Sequence, residues 1–248
     1  MKVKKITVHE YIGDNPPTES IFLFNEECQL VQEILPSKEV HHKYQPNGKE
    51  FEELTYFSDG TIRRIRFEYD DDGDYVGEVC MDGDGRILYK KTEDWLKPGR
   101  VVSSESVWED ESIFSFRRYV RKDERQAFIR GEGFFCTFEY DEEGNLLCEK
   151  LVCDAADKTE PAEYSIRRYN KDGLLIGETN PNGVSSTREY EFDEYGNWIR
   201  MEGRIEAGPV SMVAVREIEY VPGIWSGWGK HNDSSMSHIT YHPNYTEA

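Results

Sequence analysis

One turn, written repeatedly along the chain, constrains this 248-residue sequence more than any other feature. Its pattern is an aromatic residue, Asp or Asn, two polar residues, Gly, and an apolar residue soon after. Four copies are clear: Tyr69-Asp-Asp-Asp-Gly-Asp-Tyr75, Tyr140-Asp-Glu-Glu-Gly-Asn-Leu146, Tyr169-Asn-Lys-Asp-Gly-Leu-Leu175 and Phe192-Asp-Glu-Tyr-Gly-Asn-Trp198. Looser copies stand at Tyr44-Gln-Pro-Asn-Gly48, Phe57-Ser-Asp-Gly60, Met81-Asp-Gly-Asp-Gly85 and Asn180-Pro-Asn-Gly183. Phe24-Asn-Glu-Glu-Cys-Gln-Leu30 is a decayed copy, with Cys28 in the glycine position. The glycines at 48, 60, 73, 85 and 99 follow one another at 12, 13, 12 and 14 residues, and those at 173, 183 and 196 at 10 and 13. An Asp side chain that bonds amides two residues on, followed by a Gly free to take positive φ, is a turn with a mechanism.

Between the turns the residues alternate in period two. Ile65, Phe67 and Tyr69 share one face of a strand, and Arg64, Arg66 and Glu68 the other. Tyr190 with Phe192, and Ile218 with Tyr220, repeat the arrangement. A strand and a turn every dozen residues describe a meander of antiparallel neighbours. The predicted fold is therefore all-β, an antiparallel meander curling into a strongly twisted sheet or a partly closed barrel, since strand twist disfavours a flat sheet of this size. Residues 110–127 carry two Arg-rich alternating stretches and read as strands. Residues 1–40 read as an N-terminal β cap continuous with the hairpin domain at 41–221. Residues 222–248, rich in Gly, Ser, Asn and His, read as an irregular tail.

Composition fits such a core. There are 49 Asp and Glu against 30 Lys and Arg, a formal net charge of −19, yet 13% of the residues are aromatic. Disordered chains of high charge are poor in aromatics, and large rings bury much area each. An acidic chain is a poor match for nucleic-acid phosphates or an anionic membrane surface. No stretch approaches the roughly 20 apolar residues of a membrane-spanning helix. The basic start, MKVKKITVHEYIG, lacks the apolar run of a secretory signal, which points to a cytoplasmic protein. The five cysteines, at 28, 80, 136, 148 and 153, lack zinc-site spacing and read as reduced thiols.

The Tyr-Asp-x-x-Gly-Asn-Leu/Trp units, with Phe192-Asp-Glu-Tyr-Gly-Asn-Trp-Ile199 and Val215-Arg-Glu-Ile-Glu-Tyr220, resemble YD repeats of the RHS type over roughly residues 44–220. Long RHS proteins wind such hairpins into a shell around a toxin domain, and this chain is too short for that shell. The resemblance is closer to short bacterial YD-repeat proteins. Some small acidic proteins encoded beside polymorphic toxins are immunity proteins, which the resemblance extends to this chain by analogy.

The residues offer little chemistry. Asp70, Asp71, Asp72, Asp74, Asp82 and Asp84 could surround Ca²⁺, but Tyr75 occupies the place where an EF-hand loop has its glycine, so turn chemistry explains them better. His231, His238 and His242 lie in the tail beside Pro243, without a helix to present them. His41 and His42 precede Tyr44 without an identifiable partner, and His9 is isolated. There is no nucleophile elbow, Cys–His spacing or phosphate loop. The clusters Arg63–Arg66 and Arg117–Lys122 read as strand faces paired with acids on neighbouring strands. Trp95, Trp108, Tyr140, Tyr169, Phe192 and Trp198 read as core.

The sequence thus predicts a protein-binding module with no catalytic residues, metal or cofactor. Its expected partner is a basic toxin domain, steered in by the acidic surface and occluded, with no role for nucleic acid or membrane. The expected contact residues are Asp70, Asp71, Asp72, Asp74, Asp82 and Asp84, where neighbouring acidic turns would lie together, with Trp225 and Trp228 of the tail. The alternative is a scaffolding YD-repeat protein of a secretion or toxin-delivery system, assembling through exposed edge strands.

Overall fold

The computed structural model describes residues 2–97, 101–109, 113–120, 126–131, 134–153, 163–206 and 208–221. Every element in them is a strand. The first six are β1 (Lys2–Ile12), β2 (Thr18–Phe24), β3 (Leu30–Leu35), β4 (Lys38–Tyr44), β5 (Glu50–Phe57) and β6 (Ile62–Tyr69). The next six are β7 (Tyr75–Asp82), β8 (Ile87–Lys97), β9 (Val101–Trp108), β10 (Ile113–Val120), β11 (Gln126–Gly131) and β12 (Phe134–Tyr140). The last are β13 (Leu146–Cys153), β14 (Glu163–Tyr169), β15 (Leu175–Thr179), β16 (Ser185–Phe192), β17 (Trp198–Ile205) and β18 (Val210–Val221). The Arg-rich stretches of 110–127 fall on β10 and β11, as strands.

Each strand pairs antiparallel with the next, and β1 pairs with both β2 and β18. The meander therefore closes completely into an 18-stranded barrel, where the sequence left a twisted sheet or partial closure open. The closing ladder is long, running from Lys2 opposite Val221 to Ile12 opposite Met212. Residues 1–40 supply β1, β2, β3 and the start of β4 to the same sheet. Closure removes the edges that an open sheet of this size would expose.

The predicted turns form as the residue chemistry dictates. In the turn after β6, Asp70 N–H donates to Asp74 O at 2.9 Å and Gly73 N–H to Asp70 O at 2.9 Å, while Asp70 Oδ1 accepts from Asp74 N–H at 2.7 Å. Gly73 sits at φ +84. This is a type I turn closed by a left-handed glycine bulge. The same backbone pair recurs at 45–49, 57–61, 82–86, 141–145, 170–174, 180–184 and 193–197. It recurs even in the decayed copy, where Cys28 takes φ +64 and donates to Asn25 O at 3.0 Å.

The turn sets the register beyond itself. In the copies after β2, β4, β6, β12, β14 and β16, the aromatic residue at position i pairs with i+6, and a one-residue bulge follows. The bulge brings i−2 opposite i+9 in all six copies, so both residues point to the same face as the aromatic. That face carries the core cluster of Val3, Ile6, Val8, Phe22, Met201 and Ala214, which lies around the β1–β18 seam. Adjacent hairpins are tied at one rim by tyrosine hydroxyls: Tyr44 donates to Leu30 O (2.8 Å), Tyr69 to Glu50 O (2.7 Å) and Tyr190 to Leu175 O (2.8 Å).

Among the described residues, strands approach only their ladder neighbours, in keeping with the wide lumen that barrels of 16–18 strands enclose. Charges stand on both faces. Glu33, His42, Glu53, Glu78 and Arg167 share the core face, and Lys5, Glu39, Glu52, Arg66 and Glu202 lie on the opposite one. Among the described residues, therefore, neither face is a continuous apolar band.

The left-handed turn position carries a measurable energy. A side chain costs on the order of 1 kcal/mol at such φ, which Gly avoids. We expect Cys28→Gly to raise unfolding stability by about 0.5–1 kcal/mol in urea titration. Gly196→Ala, where the new Cβ meets nothing within 4 Å, is expected to lower it by about 1 kcal/mol through backbone strain.

Candidate functional site

Strand alternation divides the turns between two rims. Turns from even to odd strands gather at one rim, and turns from odd to even strands at the other. The described turns of the first rim (25–29, 45–49, 70–74, 141–145, 170–174 and 193–197) hold twelve Asp and Glu against two Lys. Those of the other rim hold six acids, at 14, 59, 82, 84, 109 and 206, against Arg86. Acids outnumber bases in the described turns of both rims.

This arrangement separates two groups that the sequence placed together. Asp70, Asp71, Asp72 and Asp74 stand on the acid-rich rim. Asp82 and Asp84 stand at the other end of β7, because consecutive turns of a meander lie at opposite ends of the strand between them. The turn beside Asp70–Asp74 on the same rim is 45–49, which holds no acid and whose Lys49 ammonium donates to Gly73 O. Trp225 and Trp228, like the tail histidines, lie outside the described residues. Asp70 and Asp82 each spend a carboxylate oxygen on their own turn amides.

The core face carries a feature missed in the sequence. The residue nine places after each rim aromatic is Glu33, Glu53, Glu78, Glu149 and Glu178 in five copies, and Met201 in the sixth. The bulge puts all of them on the core face at the same depth from the rim. Each half-buried carboxylate has its own donors. Glu78 accepts from Tyr75 (2.6 Å) and Tyr89 (2.9 Å), and Glu149 from Tyr169 (2.9 Å). Arg167 bonds Glu178 at 3.0 Å, with Arg188 at 3.9 Å. Further round, Arg118 reaches Glu93 at 3.2 Å, and their two strands flank β9, whose Ser104 is buried between. The signal was available as a Glu at a fixed offset of nine, hidden because a plain period-two strand would send that residue to the other face.

His42 is the centre of the densest part of this belt. Its Nε2 lies 2.9 Å from Glu33 and its Nδ1 2.7 Å from Glu50, with its side chain 10% exposed. Burial pulls against charging the ring, but the hydrogen bonds to Glu33 and Glu50 outweigh it and hold the imidazole up to about 9. Glu53, directly opposite His42 in the ladder, accepts from Thr55 Oγ1 at 3.2 Å and has no ion pair among the described residues. Burial lifts its carboxyl above the ordinary range. A nitrogen of His42 and oxygens of Glu50 and Glu53 all lie within 4.8 Å of one another, close enough to hold a metal. His42 thus has partners that its sequence neighbourhood did not reveal, and His9 likewise sits between Glu19 (3.6 Å) and Glu217 (3.8 Å).

Other expectations resolve locally. Arg64 and Arg66 both face Glu52 of neighbouring β5 at 3.6 Å, as a strand-face reading requires, whereas Arg63 lies over the Phe57 ring on the opposite face. Trp198 packs on the core with Arg216 over its ring at 3.5 Å. Trp108 and Phe192, read as core, are 46% and 44% exposed, because both are strand-terminal residues at a rim. Cys80 and Cys136 are buried free thiols, pushed up to about 11 and 12 by burial.

No family model matches the sequence, and no curated protein matches it. Among solved structures, the fold is similar to a porin-like protein from Bacteroides uniformis ATCC 8492, at 13% identity and a TM-score of 0.46, over 88% of this chain and 98% of that one. A TcdB2–TccC3–Cdc42 complex aligns at 12% identity and a TM-score of 0.31, over 82% of this chain and 14% of that one. A Tc holotoxin pore of Photorhabdus luminescens aligns at 15% identity and a TM-score of 0.24, over 77% and 10%. Likenesses this distant carry no argument about activity.

The His42 cluster makes stability depend on pH in a stated direction. Its folded-state value lies above the ordinary 6.5, so its contribution is complete below about pH 6.5 and is lost as pH rises through about 9. Wild type is expected to exceed His42→Gln in urea stability by on the order of 1–3 kcal/mol near pH 6, with the gap closing towards pH 10. A gap equal at both ends would contradict the assignment.

Proposed function

We propose that this chain is a non-catalytic cytoplasmic binding protein that presents its acid-rich rim to a basic protein partner. The specific form is an immunity-type inhibitor that caps a toxin's active cleft. The observation that carries the reading is the density of acid in the described turns of one rim, twelve acids against two lysines. A surface of one sign steers an oppositely charged partner and speeds encounter, and it disfavours phosphate backbones and anionic lipid. Rigid turns strengthen the case. Backbone bonds fix the shape of each turn, and Asp70, Asp141 and Asp193 also accept from their own turn amides, which lowers the ordering cost of docking.

The resemblance of the turn units to short bacterial YD-repeat proteins supplies the toxin context. The belt does not argue for catalysis, because most of its carboxylates already accept from a tyrosine, arginine or histidine, and the thiol beside Glu149, Cys136, is buried and held protonated by burial, pushed up to about 12. The scaffolding alternative loses its edge strands, since the described sheet is closed.

Binding to the product of an adjacent toxin gene tests the reading, by titration calorimetry at low and moderate salt. Asp70→Asn/Asp71→Asn/Asp72→Asn/Asp74→Asn is expected to weaken the complex by about tenfold or more, largely through slower association. Asp82→Asn/Asp84→Asn, on the opposite rim, is expected to change it by about twofold or less. Equal losses in the two variants, a salt-insensitive complex, or no complex would overturn the proposal.

A further inference from the structure

The mixed nitrogen and oxygen donors around His42 form a site that the rim-binding reading leaves unused. We propose that His42, Glu50 and Glu53 bind one divalent first-row metal ion of the zinc class on the core face of the sheet, with Glu33 holding the imidazole in place.

The bulge makes the site possible. Glu50 and Glu53 are three residues apart, a spacing that in a regular strand sends side chains to opposite faces. The extra residue Phe51 sits in the bulge between the pairs Tyr44–Glu50 and Lys43–Glu52, so Glu50 joins Glu53 on the core face. His42 lies directly across from Glu53 on β4. The three donor atoms lie within 4.8 Å of one another. Zinc with bonds of about 2.0–2.1 Å needs tetrahedral donors roughly 3.4 Å apart. Side-chain rotation covers the difference. Nδ1 and the Glu50 oxygen, now at 2.7 Å, would separate by less than an ångström, and Glu53 would swing in.

The second ring nitrogen completes the pattern. Nε2 sits 2.9 Å from Glu33, the carboxylate–histidine arrangement that orients a metal-bound imidazole and raises its basicity. Charge points the same way. Three carboxylates surround one imidazole, and Glu53 has no cation of its own within ion-pair distance among the described residues. Tyr44, whose hydroxyl is committed to Leu30 O, and Val40, 3% exposed, wall the site, and Lys38 is the further cation felt by Glu53. Binding exchanges one proton for the metal. The ion takes the Nδ1 lone pair, the Nδ1 proton leaves to solvent, Nε2–H stays on Glu33, and the fourth position remains open to water. A harder cation such as Ca²⁺ would want six or more oxygens, which this group does not offer.

The test uses tag-free full-length protein, stripped with chelator and titrated with zinc chloride near pH 7.5. One equivalent is expected to bind with a Kd in the micromolar range or tighter, releasing close to one proton, as read from the dependence of the heat on buffer ionisation. Cobalt in place of zinc is expected to give visible d–d absorption at one equivalent. Glu53→Gln, which keeps the shape of the side chain, and His42→Gln should each weaken binding by about tenfold or more, with far-UV circular dichroism confirming that the barrel persists. Asp70→Asn/Asp72→Asn on the rim should leave it unchanged. No saturable binding, binding indifferent to Glu53→Gln, or loss in the rim variant instead would overturn the proposal. None of these outcomes depends on whether the rim binds a partner.

Discussion

Everything in this barrel depends on a five-residue turn whose closing glycine takes positive φ. The turn does more than reverse the chain. Its bulge inserts one residue into the following strand, which flips the later positions to the other face. A carboxylate nine residues past the rim aromatic thereby looks inward, and the arginine, histidine or aromatic two residues before it becomes the opposite member of the pair. With the turn altered, register would slip by one and the inner and outer sets of charges would exchange places. Cys28 illustrates how strong the demand is, since the chain accepts a strained thiol there rather than a different turn.

The core is correspondingly unusual. The cluster of buried apolar side chains lies around the β1–β18 seam, while elsewhere on the core face single buried residues such as Val40, Cys80 and Cys136 stand among half-buried aromatics and paired charges. A wide barrel cannot fill its lumen with side chains from opposite walls. Cohesion therefore rests on the continuous ladder, the rim tyrosines that bond the preceding hairpin, and the local acid–base pairs of the belt. Such pairs hold register more than they add stability, because removing one partner leaves a desolvated charge behind. Turn chemistry also demands Asp and Asn, so acids gather in the described turns at the rims.

The turns and their strands were legible from residues alone, because Asp-x-x-Gly and period-two alternation are local signals. Cys28 in a glycine position and Arg64 and Arg66 facing a neighbouring acid were equally readable. The ring itself was not, since nothing local in Lys2–Ile12 announces that it pairs with Val210–Val221 at a separation of some two hundred residues. Its consequences followed it into obscurity. Asp70 and Asp82 are close in sequence yet sit at opposite ends of β7, and Trp108 and Phe192 look like core residues until a strand end places them on a rim. His42 seemed partnerless because Glu33 and Glu50 come to it from two different strands, one of them through a bulge.

Closure at the seam is the claim on which the rims, the inner face and the metal site all stand. It is tested most directly by replacing His9 and Val215, directly opposed in the β1–β18 ladder, with cysteine and oxidising the protein at low concentration. A closed barrel gives an intramolecular disulfide linking the two peptides in the monomer, absent from either single variant. Free thiols at both positions, or linkage found between chains alone, would mean that the sheet does not close.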